Sequence, residues 1–255
     1  MSDDPEILSR RVRPPDRTEV TGPAATDVYD VWDPEPHRAR GITVALVHGG
    51  FWREQYDRAH LAPLAEALTR DGFHVANLEY ARVGMPGGGW PGTASSVLDR
   101  LGSVREDDHL PDAVVVVGHS AGGHLALWVA SEERAPWLRG VLALAPVADL
   151  GEADRLHLSR DATRDLLGGT PDEVPEAWAD ADPAGQRLTT PAVVVTAEHD
   201  DAVPASVAER YAAGRGEGEP LHTAVARGAD HFDVVDPDHP AYLLLLAEVE
   251  ELTLH

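Results

Sequence analysis

Apolar segments of four to seven residues recur along most of this chain, and stretches with helical spacing lie between them. The apolar segments predict strands that are buried on both faces, at 29–32, 42–47, 74–79, 114–117, 140–145, 191–197 and 222–226. The intervening stretches predict helices at 59–69, 95–105, 124–134, 206–214 and 241–252. This alternation is typical of an α/β fold, in which crossover helices cover both faces of a mostly parallel sheet. Ligands of such sheets bind beyond the carboxyl ends of the strands.

Two segments depart from the alternation. Residues 1–24 are rich in Pro, Arg, Asp and Thr, and they predict an N-terminal arm or early edge structure ahead of a single domain at 25–255. Residues 147–190 are acidic and contain Pro and Gly, and they are too many for a simple connection. We expect a small helical lid or cap here, or an ordered insertion without a gating role.

Residues 114–123 read Val-Val-Val-Val-Gly-His-Ser-Ala-Gly-Gly, which predicts a strand, a sharp turn that carries Ser120, and a helix. Gly118 and Gly122 allow a turn tight enough to expose the serine hydroxyl, and the amide of Ala121 then lies at a helix N-terminus. The bare Gly-x-Ser-x-Gly pattern arises easily by chance, and Ser120 could simply cap the helix. The flanking strand and helix favour a nucleophile elbow.

A serine nucleophile needs a base and a group that orients the base. Asp200 follows the strand at 191–197 and is the predicted orienting carboxylate, although Asp201 competes with it and either could cap the next helix. His231 lies in the loop after the last strand and is the predicted general base, with His222 and His239 as alternatives.

Backbone donors for an oxyanion are expected where the strand at 42–47 ends in His-Gly-Gly-Phe-Trp. Gly50 is predicted to donate together with Ala121, with Gly49 or Phe51 second, although the turn could be a generic one. The aromatic residues near the strand ends predict a substrate pocket or part of the core, and they are Phe51, Trp52, Tyr80 and Trp90. Arg82 is either a contact for a substrate carboxylate or a surface arginine.

Together these motifs resemble the α/β-hydrolase superfamily over about residues 25–255. The loop at 48–52, the Glu-Tyr pair at 79–80 and the Gly-Gly-Trp-Pro segment at 88–91 resemble the kynurenine formamidase and small-carboxylesterase branch. The resemblance implies an α/β-hydrolase fold that hydrolyses a small-molecule ester or aryl formamide without a cofactor. Phe51 stands where the formamidases commonly have tyrosine. Ala197 replaces a glycine often found before the acid loop, so the choice between Asp200 and Asp201 stays open.

Composition narrows the chemistry further. The 255 residues include no cysteine, and all 21 basic residues are arginine, so thiolate nucleophiles, thiolate metal sites, disulfides and lysine Schiff bases are excluded. The net charge of −23 disfavours nucleic acid and anionic membranes as partners. An acidic N-terminus and the lack of a long apolar run predict a cytoplasmic protein without a membrane span.

Two other classes of function are also compatible with these residues. A metal-dependent hydrolase could use the scattered polar groups His48, His119, His124 and 199–201. These residues show no short ligand spacing on one helix, so we expect no metal. A non-catalytic binding module on the same scaffold is the other alternative.

Overall fold

The structure is a computed structural model that describes residues 10–254. Within that range the chain forms an eight-stranded sheet with the order β1-β2-β4-β3-β5-β6-β7-β8. The strands are β1 (Arg17–Val20), β2 (Val28–Trp32), β3 (Thr43–Val47), β4 (His74–Leu78), β5 (Val114–His119), β6 (Leu138–Leu144), β7 (Ala192–Ala197) and β8 (Leu221–Ala226). Strands β3 to β8 are mutually parallel, whereas β2 runs antiparallel to both β1 and β4.

The central strands are apolar throughout because both of their faces are covered. Every residue of β3 is buried, with Ala45 and Val47 in one core and Val44 and Leu46 in the other. Strand β5 divides its valines between the same two cores. The chain passes from β3 to β4 on one side and reaches β5 on the other, so the carboxyl ends of β3 and β5 form a topological switch point, where ligands of such sheets bind.

Eight α-helices accompany the sheet in residues 10–254: α1 (Ala62–Arg70), α2 (Gly92–Arg105), α3 (Ala121–Ser131), α4 (Leu150–Arg155), α5 (Ala162–Leu167), α6 (Pro175–Ala181), α7 (Ala205–Ala213) and α8 (Ala241–Leu252). Helix α3 is buried on all sides over its first ten residues, which explains why it is apolar all round rather than amphipathic. A Cβ on Gly122 would lie 2.0 Å from the backbone oxygen of Val47, so this glycine lets α3 pack directly against β3.

The predicted α/β architecture is confirmed, with shifts at some boundaries. The helix predicted at 95–105 begins earlier, at Gly92, and the helix predicted at 124–134 spans Ala121–Ser131. Residues 17–20 belong to the segment for which the sequence predicts an arm or early edge structure, and they form the edge strand β1. The predictions for residues 1–9, including the N-terminal targeting prediction, lie outside the described residues. None of the helices in residues 10–254 is long and apolar enough to cross a membrane.

Candidate active site

Ser120 occupies a strained turn between β5 and α3. Its φ of 56° and ψ of −117° are unusual for a residue with a side chain. A Cβ on Gly118 would lie only 2.2 Å from the backbone oxygen of Gly122, so the turn requires glycine at that position. The Ser120 amide donates to the backbone oxygen of Leu144 at 2.8 Å, which ties the turn to β6. These are the local features of a nucleophile elbow.

Asp200 and His231 meet across the ends of β7 and β8. Asp200 Oδ2 lies 2.7 Å from His231 Nδ1, and the two side chains are only 2% and 9% exposed. The other carboxylate oxygen of Asp200 accepts from the amides of Ala202 at 2.9 Å and Val203 at 2.7 Å. The carboxylate is therefore fixed from both sides, and it can hold the imidazole in one orientation.

The alternatives weighed from the sequence lie elsewhere. Asp201 is exposed. His222 is 63% exposed and faces Glu248 at 3.6 Å, while His239 lies 3.9 Å from Asp233. By contrast, the residue next to Ser120 contacts the loop of His231, because His119 Nε2 lies 2.8 Å from the backbone oxygen of His231.

The glycines after β3 lie against the elbow. A Cβ on Gly49 would be 3.0 Å from Ser120 Cβ and 2.9 Å from the backbone oxygen of His119, so a larger residue would displace the main chain there. Gly50, Phe51 and Trp52 follow with φ values of 105°, 48° and 57°, a run of left-handed backbone that reverses the chain. The amide of Ala121 lies at the N-terminus of α3, directly after Ser120.

A buried polar cluster supports this loop from behind. His48 Nδ1 lies 2.9 Å from the backbone oxygen of Gly49, and His48 Nε2 lies 3.0 Å from Glu79 Oε1. Because the C=O and N–H of a trans peptide point in opposite directions, anchoring the Gly49 carbonyl directs the amide of Gly50 away from His48. His48 and Glu79 therefore control the orientation of the predicted oxyanion donor.

Glu79 stays ionised although it is buried. Burial by itself would raise the pKa of Glu79, but the hydrogen bond from His48, the charge of Arg82 and the amide of Tyr80 outweigh burial and lower the pKa to about 2. Arg82 is itself buried, lies 3.2 Å from Glu79 and donates to the backbone oxygen of Tyr56. Arg82 is thus neither the substrate contact nor the surface arginine expected from the sequence.

The four aromatic residues assigned to a substrate pocket divide into two pairs. Trp52 and Tyr80 have no exposed surface, so their assignment as substrate-binding residues is wrong for this structure. The ring of Trp52 packs at 5.1 Å on His124, and the Tyr80 hydroxyl donates to the backbone oxygen of His48 at 2.9 Å. Phe51 and Trp90 are partly exposed and remain available to line an entrance.

Tyr56 also borders the site, although the sequence did not single it out. A Cβ on Gly50 would lie 2.5 Å from Tyr56 Cβ, so Tyr56 covers this glycine, and it remains 37% exposed. No periodicity marks Tyr56, because it lies in an irregular loop.

Helices α4 to α6 lie in the segment at 147–190, for which the sequence predicts a lid or cap, and we call them the cap. They contact the rest of the domain at several points. Trp90 Nε1 donates to Asp180 at 2.7 Å, and His124 Nε2 lies 2.9 Å from the backbone oxygen of Ala181. Arg53 donates to the backbone oxygen of Ser159 at 2.7 Å and to Asp165 at 3.0 Å. Residues 157 and 159–161 all have positive φ without being glycine, so backbone strain is concentrated where Arg53 holds the cap.

The histidines considered for a metal site are bound to other groups. His48 contacts Glu79, His119 contacts the backbone of His231, and His124 contacts the cap. Across residues 10–254 no group of three or more metal-binding side chains is arranged to hold an ion.

Comparison with known proteins identifies the family. The sequence profile of the prolyl oligopeptidase family matches residues 104–244, more than half of the chain, including the elbow, Asp200 and His231. The chain belongs to the prolyl oligopeptidase family. It is also 30% identical over 155 residues to the esterase LipQ of Mycobacterium tuberculosis. That match covers 53% of this chain and 36% of LipQ, so the chain spans about a third of the length of this curated relative.

Solved structures of esterases share the fold of this family member. Esterase B of Lactobacillus rhamnosis superposes with a TM-score of 0.73 at 19% identity, covering 97% of this chain and 90% of the esterase. A truncated carbohydrate esterase from gut microbiota superposes with a TM-score of 0.75 at 13% identity, covering 95% of this chain and 100% of the other. The predicted α/β-hydrolase fold is confirmed.

Proposed function

We propose that this protein is a serine hydrolase that cleaves small carboxylic esters through an acyl-enzyme. Ser120 is the nucleophile, His231 the general base and Asp200 the carboxylate that orients the base. The observation that carries the proposal is the 2.7 Å contact between Asp200 Oδ2 and His231 Nδ1. The loop that contains His231 is in turn bound by the side chain of His119, which directly precedes the strained Ser120. The similarity to LipQ supports ester chemistry.

In the proposed reaction, Ser120 Oγ attacks the carbonyl carbon of the ester while His231 Nε2 accepts the hydroxyl proton. Asp200 stabilises the imidazolium that forms. The C–O bond to the leaving alcohol then breaks, and His231 gives its proton to the departing oxygen. Water repeats the same steps on the acyl-enzyme, which releases the acid and restores Ser120.

Charge on the carbonyl oxygen develops in the tetrahedral intermediate, and we assign its stabilisation to the amides of Gly50 and Ala121. A preorganised donor of this kind contributes about 3 kcal/mol in comparable enzymes. The cluster of His48 and Glu79 orients the first donor, and the N-terminus of α3 supplies the second with a favourable dipole.

For the substrate, we propose a short acyl group next to an aromatic entrance formed by Phe51, Trp90 and Tyr56. All three side chains are partly exposed, and Tyr56 covers Gly50. Aryl formamides are the finer candidate within this class, since the His-Gly-Gly-Phe-Trp loop resembles that of kynurenine formamidases. A long acyl chain would lose its alignment with Ser120, so kcat should fall together with affinity.

The test combines a covalent probe with a substrate panel. A fluorophosphonate should label Ser120, and Ser120→Ala should abolish labelling and turnover. Ser103→Ala, which changes a partly exposed serine on α2, should change neither. Rates are compared on p-nitrophenyl esters from acetate to decanoate, N-formylkynurenine and a prolyl p-nitroanilide. Full activity of Ser120→Ala would refute the proposal. A maximum at eight or more carbons would refute the short-acyl assignment, and faster cleavage of the anilide would favour a peptidase.

A further inference from the structure

A buried histidine outside the proposed triad contacts three parts of the site. His119 precedes Ser120 and is 2% exposed. Its Nε2 lies 2.8 Å from the backbone oxygen of His231, and the two imidazole rings are 4.8 Å apart between centroids. A Cβ on Gly49 would lie 3.3 Å from His119 Nδ1, so the same ring borders the loop of the proposed oxyanion donors.

The partners of His119 determine where its proton lies. A carbonyl oxygen can only accept, so Nε2 carries the proton and donates to His231. Nδ1 is then an acceptor, and it faces His60 Nε2 at 3.4 Å. Burial, followed by the charges of His231 and His60, lowers the pKa of His119 well below its usual range. Burial, followed by the charges of His48 and His231, lowers the pKa of His60 to about 3. Both rings are therefore neutral donors and acceptors at neutral pH.

We propose that His119 is a positioning residue that sets the separation between Ser120 and His231. This inference rests on the proposed function. Asp200 holds the imidazole of His231, but His231 itself lies in an irregular loop. His119 holds the backbone of that loop, and it is covalently joined to the nucleophile, so a single side chain spans the distance between the two reacting residues. A displacement of about 1 Å between such groups lowers the rate about 100-fold.

His119→Leu and His119→Gln separate positioning from packing. Leucine fills much of the same space without a donor, whereas the glutamine amide nitrogen can donate to the His231 carbonyl. We expect His119→Leu to lower kcat on p-nitrophenyl acetate about 10- to 100-fold, with KM changed less than about 2-fold. Labelling of Ser120 by a fluorophosphonate should slow by a similar factor. His119→Gln should recover most of both losses.

His124→Leu is the matched control. His124 lies on α3, is fully buried and also places Nε2 at 2.9 Å from a backbone oxygen, but that oxygen belongs to the cap. We expect His124→Leu to lower Tm about as much as His119→Leu while kcat stays within about 3-fold of wild type. Equal losses of kcat in the two leucine variants would overturn the proposal, as would a His119→Gln no faster than His119→Leu.

Two further outcomes are distinguishable. If His119→Leu does not fold, His119→Gln is compared with His119→Asn, whose amide is one methylene shorter and falls short of the carbonyl. A slow asparagine variant beside a fast glutamine variant supports positioning, and equal rates refute it. Activity that survives Ser120→Ala would instead refute the proposed function and leave the packing of His119 unexplained by catalysis.

Discussion

Replacing Glu79 by glutamine should destabilise the protein in a way that depends on pH. The Glu79 side chain is 4% exposed and lies 3.0 Å from His48 and 3.2 Å from Arg82. Burial raises its pKa, but the interaction with His48, the charge of Arg82 and the Tyr80 amide lower the pKa from 4.5 to about 2. A shift of about 2.5 units corresponds to about 3 kcal/mol of folding free energy.

The sign follows from the direction of the shift. The folded pKa lies below the unfolded value, so the ionised carboxylate stabilises the fold above about pH 4.5, and this contribution is lost as the pH falls towards about 2. We therefore expect wild type to exceed Glu79→Gln in unfolding free energy by about 3 kcal/mol at about pH 7. The difference should shrink to about 1.4 kcal/mol at about pH 3.

The assay is urea denaturation followed by far-UV circular dichroism at several pH values between about 7 and 3. Glu132→Gln is the control, because Glu132 pairs with Arg134, whose side chain is 61% exposed. Such a pair contributes at most about 1 kcal/mol. A difference between wild type and Glu79→Gln that stays constant or grows as the pH falls would refute the assignment of Glu79 as a stabilising buried anion.

Three further predictions follow from the same structure. Asp200→Asn should lower kcat on the order of 10⁴-fold, whereas Asp201→Asn, at an exposed position, should leave kcat near that of wild type. The reverse ranking in steady-state kinetics would assign the orienting role to Asp201. Gly49→Ala should lower kcat about 100-fold, because its Cβ would meet the elbow backbone, whereas Gly102→Ala, with open space around its Cβ, should raise stability by about 0.5–1 kcal/mol. Arg53→Ala should speed hydrogen exchange in residues 157–161, and unchanged exchange would show that this contact does not hold the cap.

Much of the fold could be predicted because it depends on local patterns. Strands covered on both faces must be apolar throughout, and β3 and β5 to β7 coincide with apolar runs. The sharp turn that carries Ser120 could be predicted on the same basis, because the strand, the turn glycines and the helix are contiguous in the sequence. The edge strand β1 gives no such signal, because its four residues alternate between partly buried and exposed and are stabilised by pairing with β2.

The candidate site was only partly predictable. The order of Ser120, Asp200 and His231 was visible, but Asp200 and Asp201 are neighbours that only the direction of the loop after β7 can distinguish. In the structure Asp200 turns inward to His231 while Asp201 is exposed. The roles of all three residues remain predictions.

The sequence by itself determined which segments become buried strands and where a serine meets a sharp turn, because both follow from neighbouring residues. Only the tertiary structure decided which aromatic rings reach solvent. Trp52 and Tyr80 lie at strand ends, as a pocket would require, but α3 and the backbone of His48 bury them. The ring of His119 likewise joins His231 across 112 positions of the chain. Such contacts depend on how separate elements pack, and no local pattern specifies them.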